Sequence, residues 1–234
     1  MKLENIITIS GEIKLLSGLH IGGGDASMKI GGIDNEVIKH PVTGKPYIPG
    51  SSLKGKVRSL IEWRSGVVGY NNGQPTSVEA EYDANKEVKE KAFLIAKLFG
   101  NGKTIKSDKI AKEIGVTRVR FSDCLLRSDF EAKSLQELTE VKFENSIDRI
   151  TSRASHPRQT ERVPSGVVFN FEVTLKQFEG DGSELLDMLK KGLKLLEMDA
   201  LGGSGSRGYG RIKFQNLKQN GESIQESFED IQPF

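Results

Sequence analysis

Hydrophobic and polar residues alternate along several segments of the chain, and each such segment predicts a half-buried β-strand. The first segment is residues 7–15, and the second is residues 119–121. Residues 167–175 show the clearest alternation, and a last strand is predicted over residues 212–214. The chain therefore contains at least these strands, each with one face turned toward a core.

Hydrophobic residues at helical spacing predict helices between these strands. The first helix begins at a cap formed by Ser51 or Ser52 and carries one hydrophobic face from Leu53 to Ile61. The second follows a capping box at residues 181–184, and regularly spaced leucines form its buried stripe. A further helix is predicted to end at Gly100.

The order of these elements is strand, helix, strand, strand, helix, strand, which predicts an α+β fold. It is the ferredoxin-like, RNA-recognition-motif-like βαββαβ arrangement. We expect a single domain over residues 1–234. Three large insertions interrupt it, at about residues 17–50, 66–114 and 125–166.

Composition is that of a globular protein. Of 234 residues, 36% are hydrophobic and 28% are charged, so a folded core is expected rather than disorder. A single cysteine, Cys124, excludes an intramolecular disulfide and a multi-cysteine zinc site, and we expect it to be packed rather than reactive. Neither a signal peptide nor a membrane-spanning apolar run is present, so a cytoplasmic location is predicted.

The charge of the chain is balanced overall and uneven locally. Lys and Arg number 34 against 32 Asp and Glu, so the chain is not expected to coat nucleic acid indiscriminately. Basic residues nevertheless concentrate at residues 54–64, 149–166 and 207–213. Such patches predict local contacts with an anionic partner.

The spacing Gly203, Gly205 and Gly208 matches the dinucleotide-binding fingerprint as a pattern. That fingerprint requires a strand before it and a helix after it, and here the order is reversed, so we reject this interpretation. What remains is a loop whose backbone can approach a partner closely, with Arg207 beside it. It is either a plain connection or a phosphate contact.

Residues 50–56 resemble a phosphate-binding GxxxxGK loop, but Val57 replaces the hydroxyl residue that would hold magnesium. A nucleotide-dependent enzyme is therefore not expected. Lys54 and Arg58 lie four residues apart and share one face of the predicted helix. This face is either an ordinary solvated surface or a pair of cations that meets successive phosphates.

Asp34 follows two glycines in a segment without periodicity. It is either a turn former or a carboxylate that holds a divalent ion or positions an attacking hydroxyl. The three histidines show no zinc-site spacing. Tyr47, Trp63 and Tyr209 are candidates for base stacking, although we expect Trp63 to pack against the sheet.

Several of these motifs occur together, in order, over nearly the whole chain. They read GLHIGGGD, IGGIDNEVIKHPVTGKPYIPGSSLKGKVR, FENSIDRITSRASHPRQTERVPSG and LGGSGSRGYGRIKF. Jointly they resemble the RAMP superfamily of CRISPR proteins, and within it the repeated backbone subunit of the type III-A effector.

The resemblance implies a subunit that stacks with copies of itself along a guide RNA, together with other subunits of the type III-A (Csm) complex. A β-hairpin around residues 149–162 would insert between bases. Asp34 would cut complementary target RNA and would hold a divalent metal ion, Mg²⁺ or Mn²⁺. The residues implied to contact RNA are His20, Lys54, Arg58, Arg149, Arg153, Arg158, Gly202, Gly203, Gly205, Arg207, Gly208 and Tyr209.

Two alternatives remain open at this point. The chain is a non-catalytic scaffold that binds guide RNA, or it is a guide-processing endoribonuclease of the same superfamily. In the second case His20 would be the acid or base, and activity would not need a metal ion.

Overall fold

The computed structural model describes residues 2–23, 33–79 and 86–234. The strands are β1 (Leu3–Leu15), β2 (Val119–Phe121), β3 (Glu140–Ile147), β4 (Ala154–Arg162), β5 (Val168–Phe178), β6 (Ile212–Gln219) and β7 (Glu222–Ser223). The helices are α1 (Gly50–Arg64), α2 (Lys86–Phe99), α3 (Asp108–Ile114), α4 (Ser128–Glu131), α5 (Leu135–Leu138), α6 (Glu184–Met198) and α7 (Gln225–Glu229).

The central antiparallel sheet has the strand order β2-β5-β1-β6-β7. β1 is its middle strand and pairs with β5 along almost its whole length, from Leu3 opposite Phe178 to Lys14 opposite Val168. A second, separate sheet is the hairpin of β3 and β4. The predicted mixed α+β class, with an antiparallel sheet and a β-hairpin, is confirmed.

Helices α1 and α6 pack against each other and contribute to one hydrophobic core with the sheet. They approach each other closely at Gly192, where an added Cβ would lie 2.5 Å from Cδ1 of Ile61. The predicted leucine stripe of α6 is confirmed, since Leu185, Leu189 and Leu193 are all buried. Helix α2 also joins the core, although its sequence lies within the predicted insertion 66–114.

Helix α1 begins earlier than predicted. Its first residue is Gly50, and neither Ser51 nor Ser52 supplies a side-chain cap. Instead, Oδ1 of Asp123 accepts a hydrogen bond from the Gly50 backbone N–H at 2.7 Å. A carboxylate from another part of the chain therefore satisfies the free helix end, which the local sequence does not reveal.

The predicted capping box at the start of α6 is wrong. The helix begins at Glu184 without a side-chain cap. The carboxylate of Asp181 binds Arg118, with Oδ2 2.9 Å from Nε, and accepts from the Phe178 backbone N–H at 3.1 Å. Burial raises the pKa of Asp181, but these hydrogen bonds outweigh it and hold the pKa below its usual value. A buried ion pair has taken the residue that would have capped the helix.

Two further expectations concern single residues. Trp63 does not pack against the sheet: it is 59% exposed on α1, with Nζ of Lys56 5.7 Å from its ring centre. Cys124 is buried as expected, and burial raises the pKa of its thiol to about 12. In the described ranges, no helix has the length and apolarity needed to cross a membrane.

Candidate nucleic-acid interface

The hairpin of β3 and β4 divides into two parts. Its strands pair from Glu140 opposite Arg162 to Ile147 opposite Ala154, and one extra residue of β4 interrupts the register between Glu144 and Ser146. This β-bulge contains His156, whose φ of 51° is left-handed. We call residues 140–144 with 158–162 the hairpin base, and residues 145–157 the hairpin tip.

The free edge of β4 in the hairpin base holds the segment that carries Asp34. Asn35 pairs with Thr160 in a parallel bridge. The Asn35 N–H donates to the carbonyl of Gln159 at 3.3 Å, and the Glu161 N–H donates to the carbonyl of Asn35 at 2.9 Å. The Asp34 segment therefore lies along β4 as a third strand would, although it pairs through a single bridge.

Asp34 itself is exposed at this edge. Its Oδ2 accepts a hydrogen bond from the backbone N–H of Gln159 at 3.0 Å. Its Oδ1 has no hydrogen-bond partner within the part of the chain that the structure describes. One oxygen thus orients the carboxylate, and the other is available to a ligand in solvent.

The side chain of Glu161 fixes the residues that follow Asp34. Its side chain is 5% exposed, and its Oε2 accepts from the Val37 backbone N–H at 2.9 Å and from Nζ of Lys39 at 3.0 Å. Burial lowers the pKa of Lys39, but the hydrogen bond and charge of Glu161 outweigh it and raise the pKa above its usual value. This buried pair ties residues 37–39 to β4.

His20 binds the same edge of β4. It contacts Glu161, two residues after Gln159, which binds Asp34. Its Nδ1 lies 2.7 Å from the carbonyl oxygen of Glu161. Because a carbonyl only accepts, this contact assigns the proton to Nδ1 and leaves Nε2 of the neutral ring as an acceptor. The backbone carbonyl of His20 in turn accepts from the Gly203 N–H at 2.9 Å. His20 therefore connects β4 to the glycine-rich loop.

The glycine-rich loop, residues 201–210, joins α6 to β6 and packs against residues 18–20. Gly202 has a φ of 76°, and an added Cβ would lie 2.3 Å from the carbonyl oxygen of His20, so only glycine fits there. Gly203, Gly205 and Gly208 are exposed. The loop therefore presents exposed backbone beside His20, and its contact with phosphate stays a prediction.

Glu144 connects the hairpin base to the glycine-rich loop. It accepts from the hydroxyl of Tyr209 at 3.0 Å and pairs with Arg207 at 3.4 Å and Lys142 at 3.2 Å. Burial raises the pKa of Glu144, but these partners outweigh it and lower the pKa overall. The pKa of Tyr209 is raised. Burial is the largest cause, and the hydrogen bond to Glu144 is the second.

Tyr209 is fully buried, with Lys142 and Arg162 on its ring at 4.5 and 4.9 Å. Its ring has no face open to a base in this structure, because the hairpin base covers it. Its contact with RNA stays a prediction, and its observed role is to hold the hairpin against the glycine-rich loop.

The predicted cations fall into two environments. Arg149, Arg153 and Arg158 are exposed, and none forms an ion pair with a described residue. Arg58 instead binds inward, with Nε donating to Glu62 at 2.8 Å and a terminal nitrogen donating to the carbonyl of Thr76 at 3.0 Å. Exposed charge lies on the hairpin, and paired charge lies on α1.

Lys54 is half-buried on α1. Its pKa is lowered, mainly by burial and secondly by the nearby charge of Arg58. It forms no ion pair with a residue in the described ranges. Lys56 lies on another side of the helix and pairs with Asp199 at 2.7 Å, just before the glycine-rich loop. Sequence reasoning did not single out Lys56 as a contact.

The structure thus brings together His20, Asp34, β4 and the glycine-rich loop, and no described contact joins Lys54 or Arg58 to them. Sequence reasoning missed Glu161, Lys39 and Glu144. Glu161 had one available signal, since it is the only acid among the arginines between residues 149 and 166.

Asp34 is the predicted metal ligand, and the described residues around it do not form a cluster of ligands. In the described residues, no three His, Cys, Asp or Glu side chains are grouped to hold a metal ion. Mg²⁺ commonly keeps several waters and binds through one or two carboxylates together with substrate phosphates. As far as the described residues go, Asp34 therefore fits a metal ion whose other ligands are water and RNA better than one enclosed by protein.

Comparison with known proteins gives the class of this fold and site. The family model of the RAMP superfamily matches residues 12–213, so the chain belongs to the RAMP superfamily. A CRISPR system Cms endoribonuclease Csm3 of Streptococcus thermophilus is 43% identical over 91% of this chain and 88% of its own length. The Methanothermobacter thermautotrophicus protein of the same name is 38% identical over 99% of this chain and 97% of its own.

Within the superfamily, the chain is a member of the Csm3 endoribonucleases of the type III-A CRISPR system. A chain in the crystal structure of a Csm3–Csm4 subcomplex of the type III-A interference complex has a TM-score of 0.56 and 28% identity. The match covers 94% of this chain and 80% of that one. The endoribonuclease class of the relatives disfavours the non-catalytic scaffold.

Proposed function

We propose that this chain is a repeated subunit that binds guide RNA along a filament and cuts complementary target RNA at regular intervals with Asp34. It would act in the cytoplasm beside other subunits of the type III-A complex, and a divalent metal ion would assist cutting. The strand order β6-β1-β5-β2, with α1 and α6 in one core, supports a single ferredoxin-like domain as the platform.

The observation that carries this proposal is the placement of Asp34. Its carboxylate is exposed, yet Oδ2 is held at 3.0 Å by the backbone of Gln159 in the hairpin base. An aspartate that only shapes a turn bonds to its own neighbouring backbone, whereas this one bonds to a residue 125 positions away. An open carboxylate that is oriented by a distant backbone N–H is suited to chemistry on a bound chain.

The simplest reaction is attack by the 2′-hydroxyl of the target RNA on the adjacent phosphate. The 2′-oxygen forms a bond to phosphorus, and the 5′-oxygen of the next nucleotide leaves and takes a proton from water, so that a cyclic phosphate and a 5′-hydroxyl result. Asp34 would accept the 2′-proton or hold the metal ion, which when bound neutralises charge on the phosphate. In-line attack needs a splayed backbone, which supports the use of an inserted hairpin.

Guide binding would use the cations and the exposed backbone around this site. Arg149, Arg153 and Arg158 are free to meet phosphates, and the glycine-rich loop offers exposed backbone beside His20. Lys54 and Arg58 would approach the guide on another surface. The sequence of the guide would be read by base pairing, and the protein would read backbone and shape.

The test is cleavage of an end-labelled complementary RNA by the guide-loaded assembly. Wild type, Asp34→Ala and Asp34→Asn are each measured with magnesium and with EDTA. We expect an evenly spaced ladder from wild type with magnesium, and loss of that ladder in both variants although they still assemble. Asp108→Asn is a matched control, because Asp108 is an exposed aspartate at the start of α3.

The other outcomes separate the alternatives. An unchanged ladder in an assembled Asp34 variant means that another residue or subunit cuts. Full activity in EDTA points to His20, whose Nε2 is available for metal-free acid–base chemistry. Failure of both Asp34 variants to assemble would assign Asp34 a structural role.

A further inference from the structure

Phe143 is an aromatic side chain that the hairpin base leaves in solvent. It is 69% exposed, and Val141, two residues before it on the same face of β3, is 39% exposed. The opposite face of β3 is occupied, since Lys142 and Glu144 bind Tyr209 and Arg207 there. The exposed aromatic face is therefore separate from the packing that holds the hairpin in place.

The register of the strands places Phe143 in line with Asp34. Phe143 lies directly opposite Gln159 in the pairing of β3 with β4. The parallel bridge of Asn35 with Thr160 places Asp34 beside Gln159 on the other side, and Oδ2 of Asp34 binds the Gln159 N–H. Residues opposite one another in adjacent strands share a face, so Phe143, Gln159 and Asp34 form one exposed row.

The length of this row suits one nucleotide. Neighbouring strands are about 4.8 Å apart, so Phe143 and Asp34, two strands apart, are about 10 Å from each other along the row. Aromatic side chains stack on any base, because every base has a π-face. A base on the ring of Phe143 would direct its own sugar and phosphate across Gln159 toward the open oxygen of Asp34.

We propose that Phe143 is a base-binding residue that stacks on an unpaired target base next to the bond that is cut. It is a positioning residue for the reaction, because it would hold the splayed nucleotide while Asp34 acts on the neighbouring backbone. The proposal rests on the proposed function of Asp34 for the location of the cut, and on the register of the hairpin for the stacking.

Stacking is measured on the guide-loaded assembly with a target RNA that carries 2-aminopurine at each position of one cleavage interval in turn. EDTA is present, so the RNA stays whole. Stacking on an aromatic ring quenches this base. We expect Phe143→Leu to raise the fluorescence several-fold at the position that flanks the cut and nowhere else, and Phe143→Tyr to restore the quenching. Phe234→Leu, which removes another exposed aromatic, serves as the matched control.

Cleavage supplies the second readout. In a single turnover with magnesium, Phe143→Leu should slow cutting by about tenfold, since one stacked base is lost, with guide binding and cut positions unchanged. Fluorescence that is unchanged at every position, or that changes only away from the cut, would overturn the proposal. Because the fluorescence is read without cutting, a fully active Asp34→Ala assembly would refute the function of Asp34 and leave the stacking result standing.

Discussion

The hairpin base and the hairpin tip belong to the same two strands, yet their surroundings are opposite. The base is bound to three other parts of the chain, namely the Asp34 segment, His20 and the glycine-rich loop. The described hydrogen bonds of the tip join tip residues only to one another, for example from the Asp148 N–H to the carbonyl of Arg153. The β-bulge at His156 lies between these two parts.

Most charges follow the same division, although Arg158 and Phe143 of the base are exposed as well. In the base, Arg162 pairs with Glu140 at 2.7 Å, and Glu144 offsets several cations. In the tip, Arg149 and Arg153 have no described partner, and Ile150 is 95% exposed. A rigid base suits residues that must hold a reacting group within tenths of an ångström, whereas an unpaired tip suits a surface completed by RNA. Each prediction below tests this contrast.

Glu161→Ala should have the largest effect on stability, because it removes the buried acid of the base. It leaves Lys39 and the Val37 N–H without their partner, which should lower the free energy of unfolding by about 2–4 kcal/mol. We also expect target cutting to fall while guide binding persists, since the Asp34 segment loses its support. Urea denaturation and hydrogen exchange at Val37 measure the two effects.

Glu140→Ala is the matched control for this change. Glu140 also pairs with a cation of the base, Arg162, but its side chain is 44% exposed. A surface pair contributes only about 0–1 kcal/mol, so stability should barely change. Equal losses in the two variants would show that the buried support of the Asp34 segment is not what distinguishes the base.

Glu144→Gln should have an intermediate effect that depends on pH. The fold lowers the pKa of Glu144 below its ordinary value of 4.5, so its stabilisation is present above that value and is lost as pH falls through the lower folded pKa. Wild type should exceed the variant by about 1 kcal/mol near neutral pH, and the gap should close as pH falls through the lowered folded pKa of Glu144. Thermal or urea unfolding from pH 3 to 7 measures it.

Tyr209→Phe checks the hydrogen bond in this cluster separately, because it removes only the hydroxyl that donates to Glu144. It should cost about 1 kcal/mol at neutral pH, and the two changes should not add fully, since the two side chains contact each other. A gap between wild type and Glu144→Gln that is constant from pH 3 to 7 would contradict the assigned role of the carboxylate.

Arg153→Ala and Arg58→Ala should separate a free cation from a paired one. Each phosphate contact on single-stranded nucleic acid contributes about 0.7 to the slope of log affinity against log salt. Arg153→Ala should reduce the slope by about that amount with little change in stability. Arg58→Ala should mainly lower stability, because Glu62, itself 7% exposed, loses its partner. The measurement is RNA binding by the assembly over a salt series, with urea unfolding of each variant.

The opposite result would be equally informative. A full loss of slope in Arg58→Ala with stability unchanged would mean that RNA displaces Glu62, and it would support the family-based assignment of Lys54 and Arg58. Losses that depend strongly on RNA sequence would contradict a backbone role for either arginine.

Periodicity predicted the core of the fold because burial follows it directly. The alternation of residues 7–15 and the leucine spacing of α6 each place hydrophobic groups on one face, which the sheet and helix then bury. Helix starts were less predictable, since Asp123 and Arg118 reach their partners only after folding. The residues next to a helix start do not reveal such distant bonds.

The candidate site was predictable as a set of residue types and not as an arrangement. Asp34, His20 and the glycine-rich loop were found from their motifs. Asp34 and His20 lie on one edge of β4. The position of Asp34 there depends on a parallel bridge between residues 125 positions apart, which no periodicity shows. The burial of Tyr209 and the pairing of Arg58 were missed for the same reason, because charge and aromaticity in a sequence do not say which groups are already occupied.

Asp148→Ala should have the smallest effect on global stability, although Asp148 has several hydrogen bonds. Its Oδ1 accepts from the Ile150 N–H at 2.9 Å, and from the Thr151 N–H and hydroxyl at 2.7 and 2.9 Å. The bonds from Thr151, together with that from Ile150, lower the pKa of Asp148, so the turn should be ordered above its ordinary pKa and should loosen as pH falls through the lower folded value.

All the hydrogen-bond partners of Asp148 lie in the tip. The urea midpoint should therefore stay unchanged while amide exchange at Ile150 and Thr151 becomes faster. A lower midpoint would show that the tip is part of the cooperative core, and the contrast between base and tip would then be wrong.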